Sequence, residues 1–222
     1  MTGDATGDAT RDATGTIALL GGNEFEAAYD ALDRRLLSES GAAEVLIIPT
    51  ADAFERPSRL VDKATAWFAS LGSKAEGLMV LNRRDANESV HADRIAAASF
   101  VYLVGDSPLH LCGVMKETPV WAAIAGVFER GGVVAASTGA AAALCDPMVD
   151  PRGGAFTIGL GLLKGLAVIT QAETWTEQRH KRSVELASGF PIAEVPSGSA
   201  LLRTARGWEM FGDVVVDGTL PA

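Results

Sequence analysis

Short runs of apolar residues alternate along this chain with segments in which apolar residues recur at helical spacing. Thr16–Leu20 forms the first run and ends in two glycines, and similar runs begin at Val45, Phe100 and Val133. Strands that are apolar on both faces belong to parallel sheets covered by helices. The pattern therefore predicts a doubly wound α/β fold, with helices on both faces of a mostly parallel sheet.

The two ends of the chain have a different texture. Residues 2–15 repeat Gly-Asp-Ala-Thr twice and Arg-Asp-Ala-Thr once, which predicts a disordered low-complexity tail over residues 1–15, because such a segment cannot bury apolar surface. Residues 16–222 are expected to form a single α/β domain. Near the C-terminus, short strands are predicted over 192–195, 200–203, 207–210 and 214–216. Their tight turns indicate an antiparallel edge to the sheet.

Composition excludes several classes of function. The 222 residues carry a formal net charge of −9, and no basic stripe with interleaved aromatic residues is present, so no nucleic-acid partner is expected. Three histidines and two cysteines, Cys112 and Cys145, lack the spacing of a metal site. We expect no metal and no cofactor. Without a signal peptide or a membrane-length apolar segment, no membrane association is expected and the predicted location is cytoplasmic.

Ala135-Ala-Ser-Thr-Gly139 is the segment most informative about chemistry. It joins an apolar strand to an alanine-rich helix and has the form small-x-Ser-x-Gly of a nucleophile elbow, in which small residues permit a sharp turn. In that interpretation the Ser137 oxygen is exposed over the start of the helix. The alternative is an ordinary strand–turn–helix packing with a buried serine.

Two further strand ends carry glycine and polar residues, Gly21-Gly-Asn-Glu24 and Gly105-Asp-Ser107. Because ligands bind at the carboxyl ends of parallel strands, we expect both to meet Ser137 in one crevice. Backbone N–H groups beyond such glycines can stabilise an oxyanion. The predicted substrate-binding residues are Gly22, Asn23, Glu24, Ser107 and Trp175.

Four segments resemble the peptidase E and cyanophycinase group of serine peptidases. Residues 133–140 resemble the group's Gly-Thr-Ser-Ala-Gly-Ala nucleophile segment, and residues 102–107 its Gly-Gly-Asp-Gln turn. Residues 17–24 are similar to its first strand and turn, and residues 146–162 to the loop after its nucleophile helix in one bacterial subgroup. The resemblance spans roughly residues 16–217.

This resemblance implies a class I glutamine-amidotransferase-like (flavodoxin-like) fold and a small peptide or amide as ligand. It implies that Ser137 is the nucleophile and that N–H groups around Gly105, Asp106 and Thr138 form the oxyanion hole. Homodimers are common in the group, so a homodimer is also considered.

The chain departs from the group at the catalytic histidine. The group places it just after the strand that includes residues 166–169, where this chain has Gln171 or Glu173, depending on the alignment. Glu173 could act as a base if burial raised its pKa. His110 is a second candidate, because it lies one helical turn past Asp106. His91 and His180 are better explained as solvated residues.

Two functions therefore stay open. The first is a serine-nucleophile hydrolase or acyl-transfer enzyme with an incomplete triad. The alternative is a catalytically degenerate relative that binds a small molecule or a partner protein in the former crevice. Glutamine amidotransfer would need a cysteine at position 137. The group that contacts the Ser137 hydroxyl distinguishes these functions. Contact with His110 would favour catalysis, and contact with Glu173 would favour altered chemistry. Contact with neither residue would favour a binding protein.

Overall fold

The structure, a computed structural model, describes residues 15–222, so the predicted N-terminal tail lies outside the described residues except for Gly15. The strands are β1 (Thr16–Leu20), β2 (Glu44–Ile48), β3 (Lys74–Gly77), β4 (Phe100–Leu103), β5 (Val133–Ser137), β6 (Cys145–Asp146), β7 (Met148–Val149), β8 (Phe156–Thr157), β9 (Leu163–Lys164), β10 (Ala167–Thr170), β11 (Ile192–Val195), β12 (Ala200–Thr204), β13 (Gly207–Phe211) and β14 (Val215–Asp217).

The α-helices are α1 (Asp30–Ser40), α2 (Pro57–Ser70), α3 (Arg83–Ala86), α4 (Ser89–Ala96), α5 (Pro108–Met115), α6 (Pro119–Glu129), α7 (Gly139–Leu144) and α8 (Glu177–Leu186). Short 3-10 turns cover Ala27–Tyr29, Thr50–Asp52 and Ala172–Thr174. Proline is the first residue of α2, α5 and α6. The backbone N–H at this position has no partner within the helix, so its absence costs no helical hydrogen bond.

The central sheet has seven strands in the order β13-β12-β1-β5-β4-β2-β3. Strands β1, β5, β4, β2 and β3 are mutually parallel, while β12 runs antiparallel to β1 and β13 antiparallel to β12. The predicted doubly wound fold with a mostly parallel sheet is confirmed.

Alternate residues of each central strand enter two different apolar cores. Ile17 and Leu19 of β1 face the core shared with helices α4 to α7. Ala18 and Leu20 face the core shared with α1 and α2. This two-sided burial explains why the strands are continuous apolar runs rather than alternating ones.

The C-terminal strands divide between two sheets. β12 and β13 form the antiparallel edge that the sequence predicts. β11, however, pairs parallel with β10 in a separate three-stranded sheet that β14 completes. The prediction that all four C-terminal strands form one edge of the central sheet is therefore wrong. Strands this short do not specify their partners by local pattern.

Within residues 15–222, no single helix is long and apolar enough to cross a membrane. Only when α5 and α6 are taken together are they long and apolar enough to span a membrane, and the two helices are bent by 100° relative to each other.

Candidate active site

The carboxyl ends of β1, β4 and β5 meet at one edge of the central sheet. Leu20 is the register partner of Ser137, and Leu103 is the partner of Ala136. The turns that follow these strands therefore lie side by side, which brings the three glycine-containing strand ends of the sequence together.

Ser137 is the last residue of β5, and it is fully buried, at 0% exposure. Its hydroxyl donates a hydrogen bond of 2.6 Å to Glu24 Oε2. The oxygen is therefore not exposed over the helix as the elbow pattern predicts, because Ser137 still belongs to the strand. The group that contacts the hydroxyl is neither His110 nor Glu173.

The turn that carries Glu24 is fixed by buried aromatic rings. Residues Asn23 and Phe25, on either side of Glu24, have positive φ values of 58° and 60°. Phe25 packs 5.0 Å from the Tyr102 ring, centroid to centroid. The Tyr29 hydroxyl donates to the Gly22 carbonyl at 2.9 Å, and burial raises the pKa of Tyr29 to about 12. These contacts direct Glu24 toward β5, while Asn23 is exposed.

Thr138 forms the sharp turn between β5 and α7, with φ 54° and ψ −127°. Its amide donates to the Leu20 carbonyl at 3.1 Å, so the N–H predicted as an oxyanion donor already has a partner. Its hydroxyl donates to the carbonyls of Gly105 (2.9 Å) and Ser137 (2.8 Å). Both polar groups of Thr138 are thus directed into the protein.

The Gly105 turn packs directly against its neighbours. Gly105 has φ 120°, and a Cβ there would lie 2.4 Å from the Ala51 backbone, so only glycine fits. Its carbonyl oxygen accepts from both Thr138 Oγ1 and the Ala140 amide. The Ser107 amide is bonded to the Ala51 carbonyl at 2.9 Å. The Gly105 turn therefore presents a carbonyl, not an N–H group, to the Thr138 hydroxyl.

Beside this turn lies a cleft of about 270 Å³. Four chain segments contribute its walls: the Asp106 turn, the start of α7, the end of β7 with the loop after it, and the region from β10 to α8. The lining residues are Asp106, Pro108, Gly139, Ala142, Val149, Pro151, Val168, Thr170, Gln171, Thr174, Trp175 and Arg179.

The lining of the cleft carries charges of both signs. Asp106 is exposed, and burial together with the nearby Asp106, Glu55 and Glu24 carboxylates raises the pKa of Asp52. The Arg179 guanidinium carbon lies 3.5 Å from the centroid of the Trp175 ring. The cleft therefore offers a carboxylate and a stacked cation.

The structure distinguishes the two positions at which the histidine was expected. Gln171 takes the left-handed conformation, with φ 49°; its amide donates to the Gly21 carbonyl at 2.9 Å, and it lines the cleft with Gly139. Glu173 is exposed and accepts from the Ser197 amide at 3.2 Å. Burial raises the pKa of Glu173, but the bonds from Ser197 outweigh it and the net shift is downward. The condition for Glu173 to act as a base is not met.

All three histidines of the chain contact groups outside this site. His110 Nε2 lies 2.9 Å from the Leu81 carbonyl, and its ring packs on Phe54. His180 Nε2 lies 2.7 Å from Glu194 Oε1, and His91 Nε2 lies 3.8 Å from Glu88.

Sequence reasoning missed Arg179, which lies in a charged run that is typical of a solvated helix face. The one available signal is Trp175 four residues earlier, since residues at this spacing can stack. Among residues 15–222, no group of three or more His, Cys, Asp or Glu side chains could hold a metal ion.

Comparison with known proteins assigns this chain to a family. The family model of Peptidase family S51 matches residues 15–207. The chain belongs to this peptidase family. The recognition made from the four sequence segments is therefore confirmed.

Individual relatives share less than a third of their residues with this S51 chain. The chain is 28% identical over 186 residues to a cyanophycinase of Trichormus variabilis, and the match covers 79% of this chain and 62% of that protein. A Nostoc cyanophycinase matches equally. The chain thus spans about three fifths of the length of these relatives.

Solved structures confirm the fold. A peptidase from an acI-B1 Actinobacterium superposes with a TM-score of 0.82 at 23% identity, covering 93% of this chain and 91% of that one. A putative peptidase E protein from Listeria monocytogenes gives a TM-score of 0.66 at 16% identity, covering 92% and 98%.

Proposed function

We propose that this chain is a catalytically degenerate member of peptidase family S51 that binds a small molecule in the cleft beside the Thr138 turn. One observation carries the proposal: each of the three histidines contacts another part of the protein, and Gln171, one of the two positions at which the resemblance implies the histidine, lines the cleft. A hydroxyl without a general base loses about 10²–10⁴ in rate.

The environment of the two hydroxyls supports the same conclusion. Ser137 is fully buried and bonded to Glu24, and the Thr138 hydroxyl is bonded to two carbonyls. Attack by the Thr138 hydroxyl would need its hydrogen bonds to the two carbonyls to break, and attack by Ser137 would need its buried side chain to become accessible.

The cleft itself is suited to a small zwitterion. Asp106 can attract an amino group, and Arg179 can bind a carboxylate while its guanidinium stays stacked on Trp175. A free amino acid or dipeptide carries both charges. The proposed ligand class is therefore a small amino-acid-like molecule.

A second candidate, slow hydrolysis of a small peptide or amide by Ser137, is favoured by one contact. The Ser137 hydroxyl lies 2.6 Å from Glu24 Oε2, within the reach that a proton acceptor needs. In this alternative Glu24 takes the place of the histidine, and the Thr138 turn has to open before a substrate can reach Ser137.

The test combines binding and turnover on the full chain. We expect the melting temperature to rise in the presence of at least one member of a panel of amino acids and dipeptides, while no dipeptide is hydrolysed and a fluorophosphonate probe leaves the protein unlabelled. Arg179→Gln should abolish the thermal shift. Arg182→Gln, on an exposed part of the same helix, is the matched control and should keep it.

Wild-type turnover that Glu24→Gln removes would favour the second candidate. A panel without any thermal shift would contradict the binding proposal.

A further inference from the structure

The backbone turn that defines a nucleophile elbow falls on Thr138 rather than on Ser137. Thr138 is a β-branched residue at φ 54° and ψ −127°, a conformation that is a clear outlier for such a side chain. Non-glycine residues held at positive φ cost free energy and concentrate at active sites. In an elbow, the strained residue between strand and helix is the nucleophile.

Ser137 has none of these properties. It pairs with Leu20 in the parallel ladder, and the ladder continues through the Thr138 amide to the Leu20 carbonyl. Its side chain is fully buried against Glu24. The chain has not yet turned at Ser137, so this hydroxyl is not presented to the crevice.

The sequence also accommodates this one-residue shift. The segment from Ala136 to Ala140 has the form small-x-Thr-x-small, just as Ala135 to Gly139 has the form small-x-Ser-x-Gly. Glycine is required at position 139, immediately after the turn, because a Cβ there would lie 2.5 Å from the Asp106 backbone. Only the tertiary structure separates the two registers.

We infer that Thr138 occupies the nucleophile position of the elbow and that Ser137 is a positioning residue, which holds Glu24 through its hydroxyl. This goes beyond the proposed function, because it concerns which hydroxyl the elbow would present, whatever the wild-type chain does. The threonine hydroxyl is held against the Gly105 and Ser137 carbonyls. Its branched Cβ restricts the rotamers that would release it.

A serine at position 138 keeps the hydroxyl and removes the methyl group that restricts it. The double variant Thr138→Ser with Gln171→His adds an imidazole on the cleft wall that Gln171 shares with Gly139. With a fluorophosphonate probe, the oxygen at position 138 would form a bond to phosphorus. The phosphorus–fluorine bond would break, fluoride would leave, and the introduced imidazole would take the hydroxyl proton.

The matched control is Thr138→Ala with Gln171→His, which keeps Ser137 and the introduced imidazole and lacks only the hydroxyl at position 138. Both variants are labelled with the same probe, and the modified peptide is mapped by mass spectrometry. We expect Thr138→Ser with Gln171→His to be labelled at residue 138 at least about 10²-fold faster than the control.

Labelling of Ser137 in either variant, equal labelling of both, or no labelling of either overturns the assignment. Melting curves of both variants check that each is folded. The wild type tests the proposed function separately. If the probe labels wild-type Thr138, the elbow assignment is right and the proposal that the wild type is catalytically degenerate is wrong.

Discussion

At the scale of single residues, this site is defined by where each hydroxyl donates its hydrogen. Ser137 donates to a carboxylate from the turn after β1, and Thr138 donates to two backbone carbonyls. Neither hydroxyl contacts an imidazole. Reactivity in a serine peptidase depends on that contact, and the proposed absence of catalysis rests on it.

The strain at Thr138 has a measurable consequence. We expect Thr138→Gly to be more stable than Thr138→Ala by about 1 kcal/mol, because both lose the hydroxyl and only glycine adopts φ 54° without a Cβ penalty. Urea unfolding of the two variants measures the difference.

Ser137 provides the comparison for this strain. In the extended backbone of β5, Ser137→Gly should be less stable than Ser137→Ala, as is usual inside a strand. If alanine were the more stable variant at position 138 as well, Thr138 would not be strained.

At the scale of elements, the start of α7 is fixed by its contact with the Asp106 turn. We expect Gly139→Ala to destabilise the protein by about 1–3 kcal/mol, because its Cβ would meet the Asp106 backbone and force the two segments apart. Denaturant unfolding measures the cost.

Gly113→Ala is the control for helix propensity. Gly113 lies in α5, and a Cβ there meets nothing within 4 Å, so the substitution should stabilise the protein by about 0.5–1 kcal/mol. If Gly139→Ala also stabilised the protein, the proposed close approach of α7 and the Asp106 turn would be wrong.

Most central strands were predictable because they are buried on both faces. β3 was not: the apolar residues 77–81 predict a strand, yet the strand is Lys74–Gly77, in which exposed and half-buried residues alternate. It lies at the edge of the sheet, where charged residues are favoured and the hydrophobic signal is weak. Beyond the strand, the Leu78 amide still donates to the Ile47 carbonyl of β2.

At the scale of the whole molecule, one buried carboxyl couples folding to pH. Asp33 of α1 is fully buried and accepts from Trp67 Nε1 at 2.8 Å. Burial raises the pKa of Asp33 from 3.8 to about 7. The Asp30 charge adds a smaller increase, and the hydrogen bond from Trp67 opposes both. The contact joins α1 to α2, while the buried surroundings favour the protonated form of the carboxyl in the folded state.

The sign of the pH dependence follows from this shift. Between pH 4 and 7 the folded state keeps a proton on Asp33 that the unfolded state has lost, so the free energy of unfolding falls as pH rises. We expect Asp33→Asn to remove about 2–4 kcal/mol of this decline. Urea unfolding at pH 4.5 and pH 8 measures it.

The control is Asp62→Asn, at an exposed position of α2, which should leave the wild-type pH dependence unchanged. If Asp33→Asn followed the wild-type curve, the Asp33 carboxyl would not be the group responsible.

The sequence by itself determined the order of the elements, the parallel core of the sheet and the convergence of three glycine-containing strand ends. These follow from local hydrophobic pattern and from the geometry of parallel sheets. Only the tertiary structure decided that Ser137 contacts Glu24, 113 residues away, that the three histidines lie elsewhere, and that the turn falls on Thr138. The physical reason is that a backbone torsion and a long-range contact depend on how the strands align. A pattern of small residues is compatible with either of two neighbouring hydroxyls.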